Sequence, residues 1–269
     1  MNNETQEWEF AGCGGTLITN CHVLTAAHCL TYPREDYTEA VLINAWRPFH
    51  NNTNGTISKP FHLSRILPHL TMVHERFSNR DNANDVAILT METCTDDFPV
   101  MELADSSFMK NLPVETGIET RVAGFGRTSV LDPSIPDFLQ SVDVTYISRD
   151  DCDRDYYPSN QLKSDQFCAG SLKGGRDSCS GDSGSPLYIE DSVTGKQKQI
   201  GIVSWGVGCG NQATSAFVLQ EASTPRQTDL RCVSTLAKRA VRWISEAAVE
   251  DWSVTTVTMF VRLHPETIR

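Results

Sequence analysis

DSCSGDSGSPL, residues 177–187, sets two aspartates, four serines and two glycines in eleven positions. Glycine on either side of the Asp182–Ser183 pair lets the backbone turn sharply and direct its N–H groups inward. The reading of Ser183 decides the rest. A serine hydroxyl is a poor nucleophile until a base takes its proton, so Ser183 is a loop residue unless the chain also supplies a histidine and a group that orients it.

Seven histidines are present, and six have no context that lifts them above a surface or packing role. His28 differs, because it sits in LTAAHC, directly after a strand-like run and before Cys29. Asp85 heads another strand-like run, NDVAILTM, where a carboxylate can be buried against a core. The order His28, Asp85, Ser183 supplies a base, an orienting acid and a nucleophile for acyl transfer.

At 269 residues and 39% hydrophobic content the chain can form one large domain or two packed halves. A net charge of -11 argues against nucleic acid or an anionic membrane surface as partner. The one basic cluster, Lys238, Arg239 and Arg242, falls in a helix-like stretch and reads as a solvated face. No apolar run approaches the roughly 18 residues of a membrane span. Nine cysteines with no CxxC pair or His-rich spacing point to disulfides in an oxidising, extracellular compartment, and to no metal site. Asn3, Asn51 and Asn54 each open an N-x-Thr sequon, which fits a secreted glycoprotein. The opening MNNETQEWEF carries no apolar leader, in conflict with that compartment.

GTLIT, HVLTAA, AVLINAW, DVAILTM, TRVAGFG, LQSVDVTYI, SPLYI and QIGIVSWG are rich in Val, Ile, Thr and Leu and are bounded by Gly, Asn, Asp or Pro. They predict an all-β sandwich or barrel. VSTLAKRAVRWISEAA places Val233, Leu236, Ala240, Val241 and Ile244 near helical spacing and predicts one helix. LPVET, residues 112–116, reads as a linker between halves.

Taken together, CGGTLITNCHVLTAAHC, NDVAILTM, RVAGFG, FCAGSLKGGRDSCSGDSGSPL and IVSWGVGCG follow one another, from Cys13 to about Gly210, in an order that closely resembles the chymotrypsin-like (trypsin) family of serine endopeptidases. The resemblance implies an all-β fold of two packed six-stranded antiparallel β-barrels and a C-terminal helix. It divides the chain into 1–111, carrying His28 and Asp85, 112–245, carrying Ser183, and an extension 246–269 with no assigned role. It makes Ser183 the nucleophile, His28 the general base and then acid, and Asp85 the group that stabilises the imidazolium. The N–H groups of Gly181 and Ser183 would form the oxyanion hole.

Asp177 matches the floor of the family's primary specificity pocket, which implies substrates with Arg or Lys before the scissile bond. Ser178, Ser204, Trp205 and Gly206 would line that pocket and hold the substrate as an added strand. The implied partners are protein or peptide substrates and protein protease inhibitors, with no cofactor. The implied disulfides are Cys13–Cys29, Cys152–Cys168 and Cys179–Cys209, with Cys21–Cys94 as in the plasminogen-activator and factor XII branch. Cys232 is left over.

The chain departs from the family in four places. Ser185 replaces a glycine of GDSGGP, and Thr120 and Ile189 replace both cysteines of a common family bridge. After Gly210 residues are inserted, and SAFV and DLRCV are rival counterparts of the strand that backs the pocket. Family activation creates an amino terminus, usually IVGG, whose ammonium pairs with the aspartate before the nucleophile, here Asp182. No IVGG-like stretch precedes Cys13, so Asp182 is expected without its partner and the oxyanion hole poorly formed. A catalytically silent zymogen-like or pseudoprotease binding protein is therefore the alternative to an active enzyme.

Overall fold

The computed structural model describes residues 8–31, 39–42, 62–111, 117–129, 131–136, 138–155, 162–171, 173–210, 217–221 and 256–262. The helix expected around 233–248, Cys232, DLRCV and the linker 112–116 lie outside these residues. The first sheet is built from β1 (Trp8–Thr19), β2 (His22–Thr25), β3 (Glu39–Leu42), β4 (His62–Arg65), β5 (Met72–Val73), β6 (Ala87–Thr90) and β14 (Thr256–Arg262), in the order β4-β3-β14-β1-β2-β6-β5. The second contains β7 (Glu102–Leu103), β8 (Glu119–Gly124), β9 (Gln140–Ile147), β10 (Gln166–Gly170), β11 (Pro186–Glu190), β12 (Gln197–Gly206) and β13 (Phe217–Glu221), in the order β11-β8-β9-β10-β13-β12-β7.

A further β11–β12 pairing closes six strands of the second sheet on themselves, with β7 added in parallel to the outside of β12. This matches a six-stranded barrel. The first sheet differs: it has seven strands among the described residues, one of them drawn from the tail that carried no expected structure. Of the two rivals for the strand after Gly210, SAFV contributes Phe217 and Val218 to β13, which pairs with β10 and β12.

Burial explains why these stretches became strands. β8 alternates buried and exposed at its start, as a half-buried strand should, whereas β12 is buried over six consecutive positions and reads as a continuous apolar run. One core gathers Leu17, Val23, Leu24, Ile88, Leu89 and Phe98, and the other Val122, Val144, Phe167, Leu187, Ile200 and Val203. Short helices join the strands: α1 (His28–Thr31), α2 (Ser106–Asn111) and α3 (Arg149–Asp155). Asp105 opens α2 by accepting the Phe108 N–H at 2.7 Å. Ser148 opens α3 by exchanging hydrogen bonds with Asp151.

The disulfides join Cys13 to Cys29, Cys21 to Cys94, Cys152 to Cys168 and Cys179 to Cys209, the same pairs that the resemblance implies. At the substituted bridge, the Thr120 hydroxyl instead donates to the Val144 carbonyl, and Ile189 packs on the second core.

Candidate active site

β2 runs into a buried Thr25-Ala26-Ala27 segment, which delivers His28 to the start of α1. Asp85 stands just before β6, the strand paired with β2, so the ladder brings the two residues together. Asp85 is fully buried and accepts three hydrogen bonds: the His28 backbone N–H to Oδ1 at 2.7 Å, His28 Nδ1 to Oδ2 at 2.7 Å, and Ser204 Oγ to Oδ2 at 2.5 Å. An ionised carboxylate without water is costly, and three donors offset that cost. With Nδ1 committed to Asp85, Nε2 is the ring nitrogen able to take up a proton.

Ser183 is docked through its backbone. Its carbonyl accepts the Gly14 N–H at 2.7 Å, while the Gly14 carbonyl accepts the Thr25 hydroxyl at 2.8 Å. The Cys29 sulfur lies 3.8 Å from the Ser183 carbonyl oxygen and 3.9 Å from His28 Nε2, so the Ser183 loop and the imidazole flank one disulfide. Gly184 has φ +84, and a Cβ there would meet Gly14 O and Thr25 Oγ1 at 2.3 Å. Gly181 is also left-handed, with φ 103. Ser185 is not among the positive-φ residues, which is why a serine fits where the family has glycine.

The carboxylate of Asp182 is 8% exposed and accepts the N–H groups of Gly126 and Cys179, each at 2.8 Å. It is thus hydrogen-bonded by the backbone, and among the described residues no cation reaches it. Burial pushes its carboxyl up to about 6 against those two bonds. The glycines of RVAGFG make the room: a Cβ on Gly124 or Gly126 would collide with that carboxylate.

Asp177 is half-buried. Its Oδ2 accepts the Gly210 N–H at 2.8 Å, while its Oδ1 is enclosed with no partner among the described residues. Burial, with a smaller push from the Asp182 charge, raises its carboxyl to about 8. A cavity of about 400 Å³ touches both aspartates and is walled by Gly124, Gly126, Arg127 and the Cys179–Cys209 bridge.

The structure therefore joins His28, Asp85 and Ser204 in one hydrogen-bonded array beside Ser183, and Asp177 with Asp182 around one cavity. Ser178 is buried, Trp205 packs against Ile147 and the Cys152–Cys168 bridge, Gly206 is exposed, and the Ser204 hydroxyl points to Asp85. Gly14 and Thr25 are site residues that sequence reading missed, although their signal lay in the CGGTL and LTAAHC stretches.

A sequence model of the family described as Trypsin matches residues 2–224. Coagulation factor XII of Rattus norvegicus is 31% identical over 76% of this chain and 34% of its own length. Urokinase-type plasminogen activator of Gallus gallus is 31% identical over 74% of this chain and 46% of its own length. For trypsin eta of Drosophila erecta the identity is 31%, over 73% of this chain and 69% of its own length. The chain thus spans about a third to a half of the length of the first two relatives. The family match takes in every side chain of the site, and the chain belongs to the trypsin family of serine proteases.

Proposed function

We propose that the chain is a secreted serine endopeptidase that cleaves protein or peptide substrates after Arg or Lys. Ser183 Oγ attacks the scissile carbonyl carbon as its proton passes to His28 Nε2. The tetrahedral intermediate expels the amine, which takes that proton, and leaves an acyl-enzyme that water hydrolyses by the same steps. Asp85 stabilises the imidazolium, and the N–H groups of Gly181 and Ser183 receive the oxyanion. The observation that carries this reading is the buried, triply held Asp85 beneath His28, beside a serine whose loop only glycine at 184 could form. Four disulfides support an oxidising compartment. Protein protease inhibitors would bind as substrates do.

Specificity rests on Asp177. A guanidinium or ammonium arriving at its enclosed, partnerless oxygen would supply the missing interaction and restore the ionised form. The test is labelling by a fluorophosphonate together with hydrolysis of paired arginyl and phenylalanyl substrates. Labelling at Ser183, lost in Ser183→Ala, and a strong arginyl preference are expected; equal cleavage of both substrates sinks the specificity reading.

A second reading, a chain held in a zymogen-like state, is favoured by Asp182, which is buried with no cation among the described residues and borders a cavity. An ammonium in that cavity would lower its pKa and tighten the loop from Asp177 to Ser183. Added Ile-Val dipeptide should then raise turnover of an arginyl ester, and Asp182→Asn should erase the gain. Full turnover without dipeptide argues against this second reading.

A further inference from the structure

β14 lies in the middle of the sheet that carries His28 and Asp85, although it comes from the far end of the chain and beyond the family match, which ends at residue 224. From this placement we propose that residues 256–262 are a docking strand, inserted by the chain into its own first sheet, whose seating holds the loop of Ser183 in place. The proposal goes beyond the reading of the reaction; its crosslinking and exchange measurements are independent of that reading, and its labelling measurement rests on it, with labelling of the intact chain as the control that tells the two apart.

The strand is paired on both sides. Toward β1 the antiparallel register is Trp8 to Arg262, Phe10 to Phe260, Gly14 to Thr258 and Thr16 to Thr256. Toward β3 it is Leu42 to Val257, Val41 to Thr258 and Ala40 to Met259. TVTMFVR is rich in residues that favour a pleated strand. Without it, β1 and β3 would each present a row of unpaired backbone groups, which proteins seldom leave open.

The link to Ser183 runs through one residue. Gly14 faces Thr258 in the ladder, receives the Thr25 hydroxyl on its carbonyl and donates its N–H to the Ser183 carbonyl. The ladder is irregular between Phe10 and Gly14, where Gly12 has φ 77, so the pairing at 14–16 is a separate short block beside the nucleophile. Loss of β14 leaves that block with β2 as its one remaining strand partner, through Thr16 and Leu24. The intramolecular source follows from mass action. The connection from Glu221 to Thr256 can reach the chain's own sheet, and a tethered strand has an effective concentration on the order of millimolar, above that of any second copy in dilute solution.

Two measurements on the full chain test this. Directly opposite residues of an antiparallel pair have Cα atoms about 4.5–5.5 Å apart, within the span of a disulfide, so Thr16→Cys with Thr256→Cys should crosslink within the monomer. Thr16→Cys with Arg262→Cys, out of register, should not. In a second form, a specific protease site placed within 222–255 is cut after folding. The released fragment should stay bound through gel filtration. Stripping it in mild urea should speed amide exchange at residues 9–16 and 40–42 at least tenfold and slow fluorophosphonate labelling of Ser183 at least tenfold, with a synthetic peptide spanning 254–264 restoring both. Crosslinks found only between chains overturn the intramolecular docking. A fragment that leaves with no change in exchange overturns the strand, and changed exchange with unchanged labelling overturns its link to Ser183.

Discussion

Replacing Asp182 by Asn should change how stability depends on pH as well as its magnitude. The folded-state carboxyl is raised from 3.8 to about 6 by burial. Between those values the unfolded chain has released the proton while the folded one retains it, so stability falls as pH rises through this window. A shift of about two units corresponds to about 3 kcal/mol. For a chain of this size that is about 6–12 °C in Tm.

Other groups act in the opposite direction or in other windows. Hydrogen bonds and ion pairs hold Asp81, Asp132, Asp143, Asp155 and Asp191 below the ordinary carboxylate range, so their stabilisation is complete above about pH 5 and lost as pH falls below it. Burial lowers the pKa of His22, which adds stability as pH rises toward 6.5. Subtracting the wild-type curve from that of Asp182→Asn cancels all of these. The amide can accept only one of the two N–H groups from Gly126 and Cys179, which costs about 1–3 kcal/mol at every pH. On top of that constant offset, the variant should gain about 3 kcal/mol on wild type between pH 4 and pH 7.5, measured by urea unfolding at half-unit steps. The Asp182 charge also helps to raise Asp177, so its removal adds in the same direction. A difference curve that is flat over this range, or that falls with pH, refutes the reasoning.

Four further outcomes follow from the site. Asp177→Ser should reduce the arginyl over phenylalanyl preference in kcat/KM to near unity while fluorophosphonate labelling persists, since the change removes the enclosed oxygen and leaves His28 and Asp85 untouched. Ser204→Ala should lower kcat about tenfold with little change in KM, because Asp85 keeps only its two bonds from His28. Gly184→Ala should cost about 3 kcal/mol or more in urea unfolding, as its Cβ would press into Gly14 O at a left-handed φ. Replacing Cys21 and Cys94 together by Ala opens a loop of sequence separation 73 and should cost about 4 kcal/mol, read as a lowered Tm.

What was legible in the sequence was whatever is encoded within a short window. The turn around Ser183, the run into His28 and the strand after Asp85 each carry their own signal, and so do β8, β9, β11 and β12 of the closed second barrel. The α3 helix was not expected, since at seven residues it is too short for periodicity to show. Ser204 was expected to line the substrate pocket, but that its hydroxyl donates to Asp85 was not legible. A strand's alternation says which residues share a face, and only the other sheet's position says what that face meets.

The tail strand was missed for a deeper reason. Its pairing partners, Trp8–Thr16 and Ala40–Leu42, lie more than 200 residues away in sequence, and composition alone cannot distinguish a strand that completes a sheet from an apolar stub. The consequence reaches the chemistry. Gly14 is one hydrogen bond from Ser183 in space and 169 residues from it in sequence. It serves the first sheet as a ladder residue and the second half as the donor that fixes the Ser183 carbonyl. On the proposed coupling, a change in how β1 is paired would reach Ser183 through the 2.7 Å hydrogen bond from Gly14, without passing through His28 or Asp85.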